Sequence, residues 1–310
     1  MSEAAAEHPL ANRFQGCLLG LAVGDCVGTP VEFKPRGTFA PVTDMKGGGP
    51  FGLAPGVWTD ETSMTLCLAT SLMVRDGFSA TDQMKRYKKW REQGYMSSTG
   101  TCIDVSMTVD AALSRFEKTG DPFAGSVRLN TAGNASLSRL APVPMFYFKD
   151  VDEVVEYSGE SSRTTHATAE CVDACRYFGL ILHRALSGDS KEDILKSGPA
   201  DLVKADTITA LGQGAYKAKA VADIKGSAYV VDSLEAALWS FYTTHSFRDA
   251  VLAATNLGDD ADTTAAICGQ LAGAHYGVSE IPQEWLGKLV MKDGITAIAD
   301  RLLLKSTRVL

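Results

Sequence analysis

The chain has 310 residues, of which 45% are hydrophobic and 22% are charged, and this composition is typical of a soluble globular protein with a sizeable core. Its formal net charge of −7 argues against a general nucleic-acid-binding protein or a protein of membrane surfaces. The seven cysteines show no CxxC motif and no Cys/His spacing for zinc, so we expect reduced thiols in a cytoplasmic protein.

The N-terminal residues 1–12 are predicted to form a disordered lead, because the stretch MSEAAAEHPLANR is polar and has no signal-peptide core. A helix is predicted next, from roughly Ala11 to Val27. The apolar part of this helix, Phe14 to Val27, is too short to cross a bilayer and contains Asp25, so we expect no membrane span.

A row of glycines follows one face of this predicted helix: Gly16, Gly20, Gly24 and Gly28. A step of four residues returns to the same side of a helix, where the absence of side chains lets another backbone approach closely. Each glycine costs about 1 kcal/mol relative to alanine in a helix interior. Close packing against a second element is therefore expected to offset that cost.

The chain from Lys34 to Val57 is predicted to be a loop, since it is rich in glycine and proline. Loops of this length within a compact domain are usually functional. A helix follows from Trp58 to Val74, with Thr59 or Asp60 as its N-cap. This helix is apolar on most sides, so we expect it to be buried.

Helical spacing recurs in the rest of the chain, and convincing alternating strands are scarce. Helices are predicted over Ala80 to Gln93, Thr108 to Lys118, Ala167 to Ser187, Leu234 to Thr243, Phe247 to Thr255, and a last core helix that runs through Ala274. The one dense basic run, KRYKKWR, is interpreted as a solvated helix face. No repeat or low-complexity linker divides the chain, so we predict a single all-α domain over residues 13–310.

Two acidic clusters each stand at the start of a predicted buried helix: TDE at Thr59 to Glu61 and DDADT at Asp259 to Thr263. Carboxylate and hydroxyl oxygens are hard ligands that suit Mg²⁺ or Mn²⁺. Capping is an alternative explanation, because Asp and Thr are favoured at helix N-termini. If both clusters converge inside the domain, however, their carboxylates require cations.

The DADTT segment also resembles the DxDxT loop of haloacid-dehalogenase-type phosphatases. In those proteins the loop follows a parallel strand near the start of an α/β domain. Here it follows a helix-like segment near the end of the chain, so this alternative is disfavoured.

Six motifs follow one another in a recognisable order: GCLLGLAVGDCVGTPVE from Gly16, WTDETSMTLCLATSL from Trp58, GTCIDVSMTV from Gly100, GNASLSRLAPVP from Gly133, SRTTHAT from Ser162 and NLGDDADTTAAICGQLAGA from Asn256. This ordered set resembles the ADP-ribosylglycohydrolase family, which includes the dinitrogenase reductase-activating glycohydrolases and the J1-type lens crystallins. The resemblance covers roughly residues 13–285. It implies an all-α, single-domain orthogonal helical bundle with a central two-metal site.

Carried onto this chain, the resemblance implies two divalent cations, Mg²⁺ or Mn²⁺, held by Thr59, Asp60, Glu61, Asp260, Asp262 and Thr263. Asp259 occupies a place that glycine often holds in the family, so it is left outside this ligand set. Glu61 stands where many members have aspartate. Its extra methylene could alter the spacing of the metal ions without abolishing their binding.

The resemblance further implies hydrolysis of the bond between the C1″ carbon of ADP-ribose and an acceptor side chain, with water as the nucleophile. Arginine is the first choice of acceptor, and serine-linked, O-acetyl and nucleic-acid-linked ADP-ribose remain open. The implied catalytic residues are Glu32, Asp60 and Asp104, and the implied substrate-binding residues are Gly133, Asn134, Ser136 and His166. Several of these residues also have a structural alternative. Glu32 would be a residue at the end of a helix and Asp104 a capping or turn residue. Asn134 and Ser136 would form a turn, and His166 would be a buried structural histidine.

The expected partners are an ADP-ribosylated protein as substrate and ADP-ribose as product. We expect a monomer that binds neither membranes nor nucleic acids in general. Two other functions are kept as alternatives, an ADP-ribose-binding protein without turnover and a crystallin-like structural protein.

Overall fold

The computed structural model describes residues 8–198 and 201–307. Regular structure in this part of the chain is nearly all helical, which confirms the predicted all-α class. Its two strands, β1 (Lys34–Pro35) and β2 (Gly258–Asp259), pair antiparallel and place Lys34 opposite Asp259. Residues 1–7 lie outside the described part, so the predicted disordered lead stays a prediction there.

The helices follow one another along the whole chain. The first half contains α1 (Pro9–Gly28), α2 (Asp60–Arg75), α3 (Ala80–Gln93), α4 (Met107–Thr119), α5 (Ala135–Ser138), α6 (Pro142–Phe146) and α7 (Val151–Arg163). The second half contains α8 (Ala169–Ser187), α9 (Lys191–Ile194), α10 (Asp206–Gly212), α11 (Val230–Thr243), α12 (Phe247–Thr255), α13 (Ala261–Tyr276), α14 (Gln283–Lys288) and α15 (Lys292–Ser306). Short 3₁₀ turns are formed by Thr29–Val31, Leu129–Thr131, Ala215–Ala218, Val221–Asp223 and Val278–Glu280.

Helices α1 and α13 form the centre of the domain, and their backbones touch. A Cβ atom on Gly16, Gly20 or Gly24 would lie only 2.1 to 2.4 Å from a backbone carbonyl oxygen of α13. Gly269 and Gly273 on α13 meet the α1 backbone in the same way. The close approach predicted from the glycine row is therefore confirmed. Helices α8, α11 and α12 pack on α13, and α15 packs on α1.

Helix α1 begins at Pro9, two residues before the predicted start, so residues 9–12 are helical rather than part of a disordered lead. Proline suits the first turn of a helix, because the missing N–H has no partner there in any case. By length and composition alone, Pro9–Val31 could cross a membrane, but 94% of its most apolar window is buried inside the protein. It is the central helix of the core.

The remaining helices largely match the predictions, with α3 and α12 agreeing at both ends. The short helices α5, α6, α9, α10 and α14 were not predicted, and two longer elements also differ. Helix α7 was not predicted because its sequence, VDEVVEYSGESSR, has few apolar residues, and Asp150 starts it by accepting hydrogen bonds from the backbone of Asp152 and Glu153. Helix α13 is not the last core helix, since α15 also packs against α1, α2 and α6.

The basic run lies on α3, where it is partly buried rather than simply solvated. Tyr87 and Trp90 are buried, while Arg91 forms ion pairs with Asp110 and Glu117. All seven cysteines are free in the described part of the chain, and six of them are buried.

Candidate functional site

The N-termini of α2 and α13 meet, and this brings the two acidic clusters into direct contact. The hydroxyl oxygen of Thr263 lies 2.9 Å from a carboxylate oxygen of Glu61, a residue 202 positions earlier in the chain. The same hydroxyl oxygen lies 2.9 Å from Asp260. Convergence of the clusters, on which the metal-site hypothesis depends, is therefore observed.

Two threonine hydroxyls each contact two carboxylates. Thr263 stands between Glu61 and Asp260, and Thr59 lies 2.9 Å from both Asp25 and Glu61. A hydroxyl group has one proton to donate, so it can satisfy only one of its two carboxylate neighbours at a time. The second contact brings lone pairs together unless a proton or a cation relieves the repulsion.

Several buried carboxylate oxygens also lack hydrogen-bond partners among the described residues. These atoms are Oε2 of Glu32, Oδ1 of Asp60 and Oδ2 of Asp262. Carboxylate oxygens lie within 4.8 Å of one another in two triads, Asp25–Glu61–Asp262 and Glu32–Asp260–Asp262. Buried carboxylates at this density require compensating positive charge, and an all-oxygen set suits a hard divalent cation. The residues present therefore fit metal binding.

The electrostatics of the cluster lead to the same conclusion. Burial raises the pKa of Glu61 to about 7. Burial, together with the charges of Asp104 and Glu61, raises the pKa of Glu32 to about 9. The pKa values of Asp60 and Asp262 are also raised well above the ordinary aspartate value, mainly by burial. In the absence of cations, the cluster thus retains protons at neutral pH.

Asp25 is a central member of the site that the sequence analysis missed. Its fully buried carboxylate accepts hydrogen bonds from the backbone N–H groups of Thr59 and Thr62, at 3.0 and 3.1 Å. It also accepts from their hydroxyls, at 2.9 and 2.6 Å. Thr59, the N-cap of α2, makes no capping bond with its own side chain. Asp25, which lies on α1, therefore caps the N-terminus of α2. In the sequence, the feature that could have identified Asp25 as functional was its position as a lone acid within an apolar helix.

The two predicted acids Glu32 and Asp104 lie together at the edge of the cluster. Their side chains are close enough to share a hydrogen bond. Burial and the charges of Glu61 and Asp260 raise the pKa of Asp104 to about 6. Glu32 follows the 3₁₀ turn that ends α1, so the same helix that supplies Asp25 also delivers Glu32.

Gly28, the last glycine of the row, lies against the second acidic cluster. A Cβ atom on Gly28 would lie 2.3 Å from the Cα atom of Asp262, so α1 and the start of α13 are in backbone contact at the site. Beside them, the backbone N–H of Phe33 donates a 2.6 Å hydrogen bond to the carbonyl of Asp259. The side chain of Asp259 is exposed, in keeping with its place outside the expected ligand set.

Asn134, predicted to bind substrate, contacts a predicted metal ligand. Its amide nitrogen donates to Asp260 at 2.7 Å and to Ser233 at 2.8 Å. Its neighbour Gly133 forms a backbone bridge with Tyr229. The amide thus orients Asp260, a role that the sequence analysis did not foresee.

Ser136 and His166 lie beneath this loop, and each is only 1% exposed. The Ser136 hydroxyl accepts a 2.9 Å hydrogen bond from Ser162, and Nδ1 of His166 lies 2.9 Å from the Thr165 hydroxyl. Burial lowers the pKa of His166 to about 3, so the ring is neutral. Nε2 of His166 lies 3.2 Å from the position of a Cβ atom on Gly133. His166 therefore lies against Gly133, whereas Ser136 connects α5 to Ser162, and a direct contact of either side chain with substrate remains a prediction.

Arg139, which the sequence analysis also did not identify, connects the segments of this region. Arg139 is fully buried and donates to the Thr165 hydroxyl at 2.8 Å and to the Ser161 carbonyl at 3.3 Å. Its guanidinium group lies over the ring of Tyr87, 4.8 Å from the ring centre. These contacts tie the segment before His166 to the helix that follows Asn134.

The chain is similar to known proteins over nearly its whole length. The chain matches the sequence profile of the ADP-ribosylglycohydrolase family over residues 6–309. It is 41% identical to the ADP-ribosylarginine hydrolase Tri1 of Serratia proteamaculans (strain 568) over 296 residues, which are 96% of this chain and 80% of that protein. It is 30% identical over 289 residues to the ADP-ribosyl-dinitrogen reductase glycohydrolase of Rhodospirillum rubrum, 91% of each protein.

A solved structure is similar over nearly its whole length. The protein, described as an ADP-ribosylglycohydrolase-related protein complex, superimposes with a TM-score of 0.86 at 39% sequence identity. The match covers 96% of this chain and 99% of that one. The two proteins therefore share the same fold over nearly the whole of this chain.

Proposed function

The chain belongs to the ADP-ribosylglycohydrolase family, and on that premise we propose that it is a metal-dependent hydrolase that removes ADP-ribose from arginine side chains of modified proteins. The observation that carries the proposal is the convergence of the two carboxylate triads, which share Asp262. The choice of arginine is supported by the relatives named ADP-ribosylarginine hydrolase, which are 41% and 42% identical to this chain.

The proposed ligands of two divalent cations, Mg²⁺ or Mn²⁺, are Thr59, Asp60, Glu61, Asp260, Asp262 and Thr263. When bound, such cations would hold the ribose hydroxyls and lower the pKa of a water molecule. The unpartnered oxygens of Asp60 and Asp262 support this set. Asp25 is proposed to orient the ligands rather than bind a cation, because its carboxylate is already engaged by Thr59 and Thr62.

The proposed reaction is a hydrolysis in which the oxygen of water forms a bond to C1″ as the bond from C1″ to the guanidine nitrogen breaks. One proton leaves the water, and one proton reaches the departing nitrogen. Glu32 and Asp104 form an adjacent carboxyl pair, and such a pair readily shares one proton. We assign proton donation to Glu32, the more buried of the two, and proton acceptance to Asp104.

The remaining site residues hold this machinery in place. Asn134 orients Asp260, and the loop of Gly133 and Asn134 is proposed to receive the pyrophosphate, with His166 and Ser136 beneath it. Such fixed positions favour catalysis because little reorganisation is needed at the moment of reaction. A cytoplasmic location and a monomeric state are also part of the proposal. The location is supported by the seven free cysteines of the described chain, because reduced thiols are typical of cytoplasmic proteins.

The proposed function is tested with a protein ADP-ribosylated on arginine, incubated with the enzyme in Mg²⁺ or Mn²⁺ and then in EDTA. Expected is metal-dependent release of free ADP-ribose with restoration of unmodified arginine, both followed by mass spectrometry. Asp260→Asn should lose turnover, whereas Asp259→Asn, at the exposed neighbouring position, should keep it. Serine-linked and O-acetyl ADP-ribose serve as a linkage panel. Binding of ADP-ribose without release would instead support the binding-protein alternative.

A further inference from the structure

Among the described residues, six large apolar side chains are more than 60% exposed, and the four most exposed belong to segments that lead into the site. They are Met107 at 90% exposure, Leu129 at 82%, Val127 at 73% and Phe33 at 65%. We call these four side chains the apolar rim. Exposed apolar surface is unfavourable in water, and a concentration of it beside a polar cleft is typical of an interaction site.

Phe33 and Met107 flank the two proposed catalytic acids. Phe33 directly follows Glu32, and its backbone is held by the hydrogen bond to Asp259. Met107 is the first residue of α4 and lies three positions after Asp104. Because Glu32 and Asp104 are in contact, these two segments meet at the same edge of the site.

Val127 and Leu129 stand on the segment that leads to the loop of Asn134. Ser126, just before Val127, forms a backbone bridge with His166. Leu129 opens the 3₁₀ turn Leu129–Thr131, and Asn134 then reaches Asp260. This segment is therefore tied to the site through His166 on one side and through Asn134, which contacts Asp260, on the other.

We propose that the apolar rim is the docking surface for the modified protein substrate and contacts an apolar patch around its ADP-ribosylated arginine. The inference rests on the proposed function, because it requires that the acceptor be a protein side chain. ADP-ribose itself is polar and anionic and offers little for four exposed apolar side chains to bind. A protein surface offers such contacts, and apolar side chains at the centre of protein interfaces contribute much of the binding free energy.

The test uses the double variant Met107→Ser/Leu129→Ser and two substrates, an arginine-ADP-ribosylated protein and free ADP-ribosyl-L-arginine. Expected is a rise of about tenfold in KM for the protein with kcat unchanged. Both constants for ADP-ribosyl-L-arginine should equal those of the wild type. The matched control is Val74→Ser/Leu304→Ser, since each of these side chains is 64% exposed and lies on α2 or α15 away from the N-terminal end of α2. This control variant should have the wild-type KM and kcat for both substrates.

Each other outcome decides against the docking surface. An unchanged KM for the protein substrate in the rim variant overturns it while the proposed function stands. Equal losses on both substrates would mean that these side chains contact the ADP-ribosyl group or support the site, rather than the acceptor protein. If the wild type releases ADP-ribose from neither substrate, the proposed function fails, and the docking surface fails with it.

Discussion

The hydroxyl of Thr263 lies 2.9 Å from the carboxylate of Glu61, although the two residues are 202 positions apart in the chain. This contact joins the N-terminus of α2 to that of α13. Both helix ends direct partial positive charge toward the same carboxylates. That contribution is too small to balance the cluster, which is why the arrangement fits a divalent cation.

Thr263→Val is expected to weaken divalent-cation binding by at least about tenfold. The change removes a hydroxyl oxygen that lies between Glu61 and Asp260 while preserving side-chain volume. Isothermal titration with Mn²⁺ measures the effect. Thr263→Ser keeps the hydroxyl and is the matched control, expected to bind nearly as the wild type does. Equal affinity in the Val and Ser variants would contradict a ligand role for this hydroxyl.

Asp25→Asn is expected to destabilise the protein by about 2 kcal/mol and to weaken cation binding as well. The buried carboxylate accepts from both Thr59 and Thr62, and an amide turns one acceptor into a donor that faces them. Urea unfolding and Mn²⁺ titration provide the two measurements. Asp293→Asn, at a side chain that is 97% exposed, serves as the control. A variant with normal stability would show that the capping role of Asp25 is dispensable.

The metal-free protein is expected to lose stability as pH rises from about 5 to 8. The folded-state pKa values are about 6 for Asp25, 7 for Glu61 and 9 for Glu32, all above their ordinary values. Between pH 4 and 9 the folded state therefore binds more protons than the unfolded state, so the free energy of unfolding falls as pH rises.

Calorimetry in EDTA measures this as a decrease of at least about 5 °C in Tm. Mg²⁺ should remove most of the decrease at pH 8, because a cation that binds only the folded state stabilises it. Asp25→Asn should reduce the pH dependence without Mg²⁺. A Tm in EDTA that stays constant or rises over this range would show that the buried carboxyl groups do not have raised pKa values in the folded protein.

Gly20→Ala is expected to destabilise the protein by at least about 3 kcal/mol or to prevent folding. The new methyl group would lie 2.4 Å from the carbonyl oxygen of Gly269, and neither backbone can move aside within the core. Gly287→Ala is the control, since its Cβ atom has no described neighbour within 4 Å. In α14 alanine is also the better helix former, so this variant should be neutral or slightly stabilising. Similar unfolding free energies for both variants would contradict close α1–α13 packing.

Much of the site could be read from the sequence because its chemistry is local. TDE and DDADT are short runs whose oxygen ligands stand next to one another in the chain, and helical spacing placed both at helix starts. The glycine row likewise predicted a close helix contact from the period of the α-helix alone. The individual ligand and catalytic roles remain predictions.

Other features depended on partners far away in the chain. Asp25 gains its role from Thr59 and Thr62, which only the crossing of α1 and α2 brings to it. Asn134 faces Asp260 rather than solvent for the same kind of reason. Whether Ser136 and His166 point outward or into the core was also set by packing, and both are buried.

By itself, then, the sequence determined the helical class, the family and the kind of ligands available, since these follow from residue type and from spacing within single helices. Tertiary structure alone decided that the two acidic clusters meet, that Asp25 caps α2 and that Asn134 contacts Asp260. These relationships depend on contacts between segments far apart in the chain, such as Glu61 and Thr263, which are separated by 202 positions. Spacing along the chain carries no information on such contacts, because they arise from how whole helices pack.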